Sequence, residues 1–274
     1  IDSLQADRVD VLITPDPKTP LAPPRNLQLP LEVEVRAIDI AELHAAAIGE
    51  QPLRGLHARL HLSADAGRTH RVDDLVLAWS PLTARGAARI ASVAPFDVQG
   101  QFAIEPRQAD ESPGAAAQTA FEAQVKVNGP LTDLAVLATL RGTVANGRKG
   151  AETSLDLNAR VLPFAAWPLG TLQARTRALD LAALHASAPA TSLTGTADVV
   201  SVGHDRPATV AIALANARAG RLDLGLLPVR SLSADVRARP DDPRRIDIHA
   251  LDLVLGTARD SGGRLRGSGH WTPK

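Results

Sequence analysis

The chain is expected to be all-β: an elongated, curved antiparallel sheet built from repeats, with an apolar concave interior. Three observations lead there. Apolar and polar residues alternate along most of the chain, the period-two signature of strands with one face buried. Helical periodicity is scarce, so few helices are available to cover the apolar faces. The residue types are unusual: hydrophobic residues make up 45% of 274 residues, yet aromatics only 3%, with four Phe, three Trp and no Tyr. Sandwich cores commonly carry large aromatic anchors. Of the three ways to cover such faces, a sandwich, a closed barrel or a sheet curled into a groove, a wall of Leu, Val, Ile and Ala disfavours the sandwich and suits an aliphatic groove.

The strands follow in order. A short first strand covers Ala6 to Thr14, and a Pro-rich spacer with Pro15, Pro17, Pro20, Pro23 and Pro24 should be extended and solvated. Leu27, Leu29, Leu31, Val33 and Val35 then alternate with polar or turn-forming residues. Leu56, Ala58, Leu60 and Leu62 alternate with His57, Arg59 and His61. Leu75, Leu77 and Trp79 continue, then Phe102 with Ile104, then Phe121, Ala123, Val125 and Val127. Leu134, Val136, Ala138 and Leu140 form another strand, as do Leu155, Leu157, Ala159 and Val161. The last are Val210, Ile212 and Leu214; Leu232, Ala234 and Val236; Ile246 and Ile248; Leu251, Leu253 and Leu255; and Leu265 to Trp271. Asn146-Gly147 marks a hairpin turn, and Asp65-Ala66-Gly67, Asp241-Asp242-Pro243 and Ser261-Gly262-Gly263 mark others. Asp39 to Ala47 and Asp180 to Ala188 are the two places where a helical turn is conceivable.

The chain divides into a first strand and spacer (1–26), a groove segment (27–107), an Ala/Ser/Gly/Pro-rich loop read as flexible (108–120), and a second groove segment continuing the same sheet (121–274). An internal repeat supports this. AIDIAELHA at Ala37 to Ala45 returns as ALDLAALHA at Ala178 to Ala186, with six of nine residues identical. PLRGLHARL from Pro52 is echoed by PVRSLSADV from Pro228, and Gly-bearing strands follow at Leu82 to Ile90 and Arg264 to Trp271. SLTGTADVV, Ser192 to Val200, is a candidate third copy. Repeats of this kind build elongated structures whose units touch mainly their neighbours.

Thirty basic and thirty acidic side chains cancel, which argues against a general nucleic-acid binder. No Cys is present, so thiolate chemistry and Cys-based zinc sites are excluded. No apolar run is long enough for a membrane helix. The chain begins at Ile1 and contains no Met, and is expected to be a piece of a longer protein. His57 and His61 lie on one side of a strand with Arg59 between them, but no third metal ligand is placed by sequence. Asp73-Asp74 should face opposite ways on a strand, which disfavours a carboxylate dyad. Neither nucleophile elbow nor phosphate loop occurs. Trp79, Trp167 and Trp271 read as core anchors, with groove edge or rim as the alternative. The expectation is a non-enzyme without cofactor or metal.

The run LQLPLEVEVRAIDIAEL (Leu27 to Leu43), followed by PLRGLHARLHL, HRVDDLVLAWSPLTARGAARI and PFDVQGQFAI (Pro95 to Ile104), resembles the amino-terminal to middle part of the TamB family. That family is the inner-membrane subunit of the translocation and assembly module; AsmA-like relatives share the style of strand. The resemblance covers nearly the whole chain, through pattern and repeat order. It implies a periplasmic body belonging to an inner-membrane-anchored protein, the anchor lying outside this sequence. It also implies a groove for phospholipid acyl chains between inner and outer membrane, support of outer-membrane protein and autotransporter assembly, and a TamA-like outer-membrane barrel partner reached through a carboxy-terminal region absent here. The groove-lining candidates are Leu29, Leu31, Val33, Val35, Leu56, Leu60, Leu62, Leu75, Leu77, Phe102, Ile104, Val125, Val136, Leu155, Leu157, Ile212, Leu232, Val236 and Leu253. The alternative is a scaffold that captures outer-membrane strands by β-augmentation without conducting lipid. A carbohydrate-binding sandwich is a third reading, disfavoured by the shortage of aromatics.

Overall fold

A computed structural model describes residues 1–11, 22–45, 51–79, 81–107, 120–143, 152–165, 167–185, 187–201, 207–239, 242–257 and 259–272. The described residues form one sheet of fifteen strands in which spatial order equals chain order. The strands are β1 (Leu4–Val11), β2 (Val33–Ala45), β3 (Leu53–Ser63), β4 (Thr69–Trp79), β5 (Leu82–Ala91), β6 (Asp97–Pro106), β7 (Ala120–Pro130) and β8 (Leu134–Thr143). They continue with β9 (Glu152–Val161), β10 (Leu169–Leu179), β11 (Leu193–Val200), β12 (Ala208–Asn216), β13 (Val229–Arg239), β14 (Asp242–Gly256) and β15 (Ser261–Trp271). The sheet is not closed into a barrel: β1 and β15 are its two edges. At about 4.8 Å per spacing, the contour across it is roughly 70 Å.

Every neighbouring pair is antiparallel except the first. β1 lies parallel to β2, with Leu4 opposite Ile38 and Val11 opposite Ala45. β6 pairs directly with β7, Phe102 opposite Val125, so the sheet runs unbroken past the connection between them. Alternation is strict in β6, where exposed Gln99, Gln101, Ala103 and Glu105 intervene between half-buried Val98, Gly100, Phe102 and Ile104. Bulges interrupt it elsewhere. The β2–β3 register shifts between Val35 and Ile38, and the β4–β5 register shifts between Val72 and Leu75, where Asp74 has φ 50. A bulge adds one residue to one strand and reverses the inward-outward assignment beyond it.

Burial is concentrated where connections fold back on the sheet. At one end Phe121, Ala123, Leu140 and Leu179 form a buried cluster, against which Leu181, Ala183 and Leu184 of the β10–β11 connection pack. At the other end the segment before β2 crosses to the β5–β6 turn, Leu27 N–H donating to Ser92 O at 2.9 Å. His70 stitches this crossing. Ser63 N–H donates to its Nδ1 at 3.1 Å, which leaves Nε2 to donate to Leu27 O at 2.8 Å.

The structure corrects several expectations. The strand read from Leu27 begins only at Val33. Leu29 and Leu31 precede it and are 41% and 70% exposed, so neither lines the sheet. The cause is the crossing to Ser92, which pulls Leu27 away from strand pairing. Asp39 to Ala45 is strand, with no helical turn, whereas Leu181–Ala183 is a 3-10 turn. None of the Trp residues is a core anchor: Trp79, Trp167 and Trp271 are 38%, 37% and 54% exposed. Asn146-Gly147 and most of the loop at 108–120 lie outside the described residues.

Candidate functional site

The concave face is assembled by register. Starting at Val35, directly opposed residues run Leu60, Val72, Ala88, Gly100, Val127 and Val136. The row continues through Ala159, Leu172, Val199, Val210, Val236, Ile248 and Gly269. Fourteen strands therefore contribute to one row, and no member carries a polar side chain. A parallel row begins at Leu75 and Gly86 and passes through Phe102, Val125, Ala138, Leu157, Ala174, Ala197, Ile212, Ala234 and Leu251. Another runs from Leu77 through Ala84, Ile104, Ala123, Leu140 and Leu155, is broken by Thr176 and Gly195, and resumes at Leu214, Leu232, Leu253 and Leu265. Pairing thus brings Val35, Leu60, Leu75, Leu77, Phe102, Ile104, Val125, Val136, Leu155, Leu157, Ile212, Leu232, Val236 and Leu253 onto one face. Val33 and Leu62 are opposite each other at its upper end, and Leu56 opposes Ile40 near β1.

Most of these side chains are half-buried: flanked by neighbours but uncovered above. The wall is aliphatic and its relief is low. Phe102, its one aromatic member in the central rows, lies across Gly86 and Gly100; a Cβ on Gly86 would stand 2.6 Å from the Phe102 ring and 2.2 Å from Gln101 O. Such a surface offers dispersion and the hydrophobic effect without directional contacts. An acyl chain laid on it gains about 0.8 kcal/mol for each CH₂ removed from water.

One end of this face is covered. After β10, Asp180 caps the 3-10 turn, accepting from Ala182 N–H at 3.1 Å and from Thr191 N–H at 2.9 Å. The turn drops Leu181, Ala183 and Leu184 onto the apolar cluster. His185 then meets Trp79 edge to face, ring centroids 6.4 Å apart. Six strand spacings separate β4 from β10, roughly 29 Å along the sheet. The curl of the sheet and the reach of the connection together close that gap.

The outer face is polar and many of its charges are paired. His57 Nδ1 is 2.7 Å from Asp39, His61 Nε2 is 2.5 Å from Glu32, and Arg59 is 2.5 Å from Asp74. His57 and His61 thus each have a carboxylate partner, and among the described residues no group of three or more His, Cys, Asp and Glu is placed to hold a metal. The bulge at Asp74 changes the expectation for the acidic pair. Asp73 and Asp74 both border the same outer depression, because the extra residue turns both outward. At the far edge Arg264, then Arg266, hold the Asp252 carboxyl down at about 2. Arg160 likewise lowers Asp133, which it grips with two nitrogens at 2.6 and 2.5 Å.

Some of the concave face gives little signal in sequence. β10 contributes Leu172, Ala174 and Thr176, and two small or polar residues among three inward positions hide its alternation. The covering role of Leu181 and Leu184 has no local signature, because the same motif is plain strand at Ile40 and Leu43. No family model matches the chain, and no curated protein or solved structure matches it.

Proposed function

We propose that the concave face carries phospholipid acyl chains along the sheet, as one segment of a TamB-like periplasmic bridge between inner and outer membrane. The observation that carries this reading is the row from Val35 to Gly269, apolar on every strand and left open above. A folded chain gains by burying such a surface, and a long uncovered apolar face marks an interaction site. The lack of polar anchors suits a cargo that slides over a cargo that docks. No reaction and no cofactor belong to this reading. A TamA-like barrel would be met by a region outside this sequence.

The test is the lipid content of the purified chain. Native mass spectrometry is expected to find phospholipid bound to the wild type. Leu157→Asp, which puts a carboxylate in the central row, should abolish that signal while circular dichroism still reports the sheet. Lipid-free wild-type protein, or undiminished lipid on folded Leu157→Asp, overturns the proposal.

The free edge of β15 favours a second reading, capture of an outer-membrane protein strand by β-augmentation. Among the described residues, β15 pairs only with β14, and its outer backbone groups have no strand partner. A photocrosslinker at Leu157 that traps acyl chains supports conduction. One at Ser268 that traps polypeptide, with none at Leu157, supports augmentation.

A further inference from the structure

The outer face holds a second feature, independent of the groove. Between β4 and β7 it sinks into a shallow depression of about 320 Å³, bordered by Arg71, Arg89 and Lys126 and floored by Ala87. The small floor residue makes the hollow; the rim decides its chemistry. Three cations face the single carboxylate of Asp73.

Many arginines of this face reach carboxylates: Arg59 to Asp74, Arg141 to Asp156, Arg160 to Asp133 and Arg264 to Asp252. Arg71 instead stands directly opposite Arg89 across β4 and β5. Like charges in that position repel. Among the described residues, neither arginine nor Lys126 makes a salt bridge. Arg71 Nε is shielded from solvent and has no acceptor, and its Nη2 has only His61 Nδ1, at 3.5 Å. Arg89 grips Gln99 Oε1 with Nε at 3.1 Å and Nη2 at 2.6 Å, which leaves the Gln99 amide nitrogen to donate outward. The hollow therefore carries more cationic donors than carboxylates to meet them.

We propose that this depression binds an oxyanion of the phosphate class. An anion seated between Arg71 and Arg89 converts their repulsion into charge-assisted hydrogen bonds, with Arg89 Nη1 left free by the Gln99 contact. Lys126 adds a point charge from the neighbouring strand. The ligand is either a free phosphate or the phosphate of a lipid headgroup.

Isothermal titration of the full chain with inorganic phosphate, at constant ionic strength against chloride, tests the site. Saturable binding is expected, weakened about tenfold or more in Arg89→Gln and in Lys126→Gln. Arg175→Gln, on β10 of the same sheet, should bind as the wild type does. No phosphate binding by wild type at millimolar concentration overturns the proposal, as does equal weakening in all three variants. Phosphatidylcholine vesicles with and without phosphatidic acid identify the source. Displacement of bound phosphate by the phosphatidic acid vesicles alone assigns the site to a headgroup; retention of phosphate assigns it to the free anion. Loss of lipid from the groove in Leu157→Asp leaves this titration unchanged, so the two proposals fail separately.

Discussion

AIDIAELHA at Ala37 to Ala45 and ALDLAALHA at Ala178 to Ala186 are nearly one sequence in two structures. The first is strand throughout. The second leaves the sheet after Leu179 and turns over the apolar face. Propensity does not separate them; neighbours do. The first copy is held on both sides, by β1 in parallel and β3 in antiparallel pairing. Among the described residues, the β9 pairing stops at Arg177, just before the second copy begins. Its aspartate then caps two backbone N–H groups, where Asp39 has only an exposed contact with His57. The one non-conservative difference matches this division. Glu42 reaches Arg54 and His44 in the open, while Ala183 packs on the buried cluster.

Exchanging these roles should break the comparison most sharply. Ala183→Glu puts a carboxylate against Phe121 and Leu140 and should cost about 3 kcal/mol in urea unfolding. Glu42→Ala, the reverse exchange, should fall within about 0.5 kcal/mol. A loss of similar size in both would mean that the covering connection is not packed. Next is the shared aspartate. Asp180→Ala removes the cap from two backbone donors and an ion pair with Arg218 at 3.5 Å, and should cost about 2 kcal/mol. Asp39→Ala loses only an exposed contact with His57, so it should be nearly neutral. Truncation of residues 1–11 sharpens the comparison from the other side. Amide exchange should speed up selectively over Ile38 to Ala45, the strand that β1 supports, and stay unchanged over Leu179 to Ala183.

The smallest effect belongs to the far edge. Arg264 and Arg266 hold Asp252 near 2, below the ordinary carboxylate value of about 3.9. A lowered native value means the contribution is complete above about 3.9 and is lost as pH falls through about 2. β15 amides should therefore exchange faster between those values, and Asp252→Asn should remove that pH dependence while leaving β2 unaffected.

Much of the architecture was legible in the residues. Period two placed most strands, and the aromatic shortage pointed to an open curved sheet. Bulges were not legible, because one extra residue at Asp74 changes which side chains share a face without changing composition. Connections were read poorly for a related reason. Leu27 to Leu31 alternates like a strand, but its backbone partners lie at Ser63, His70 and Ser92, far along the chain. The apolar lining was readable from local pattern; what covers its ends depends on contacts between distant segments. Arg71 and Arg89 lie eighteen positions apart, and only the β4–β5 register sets them face to face.

The unbroken row from Val35 to Gly269 has a consequence for anything resting on it. A hydrocarbon tail displaced by one strand meets nearly the contacts it has left. On the proposed reading the cargo advances in steps of about 4.8 Å, one strand at a time, down a difference in chemical potential.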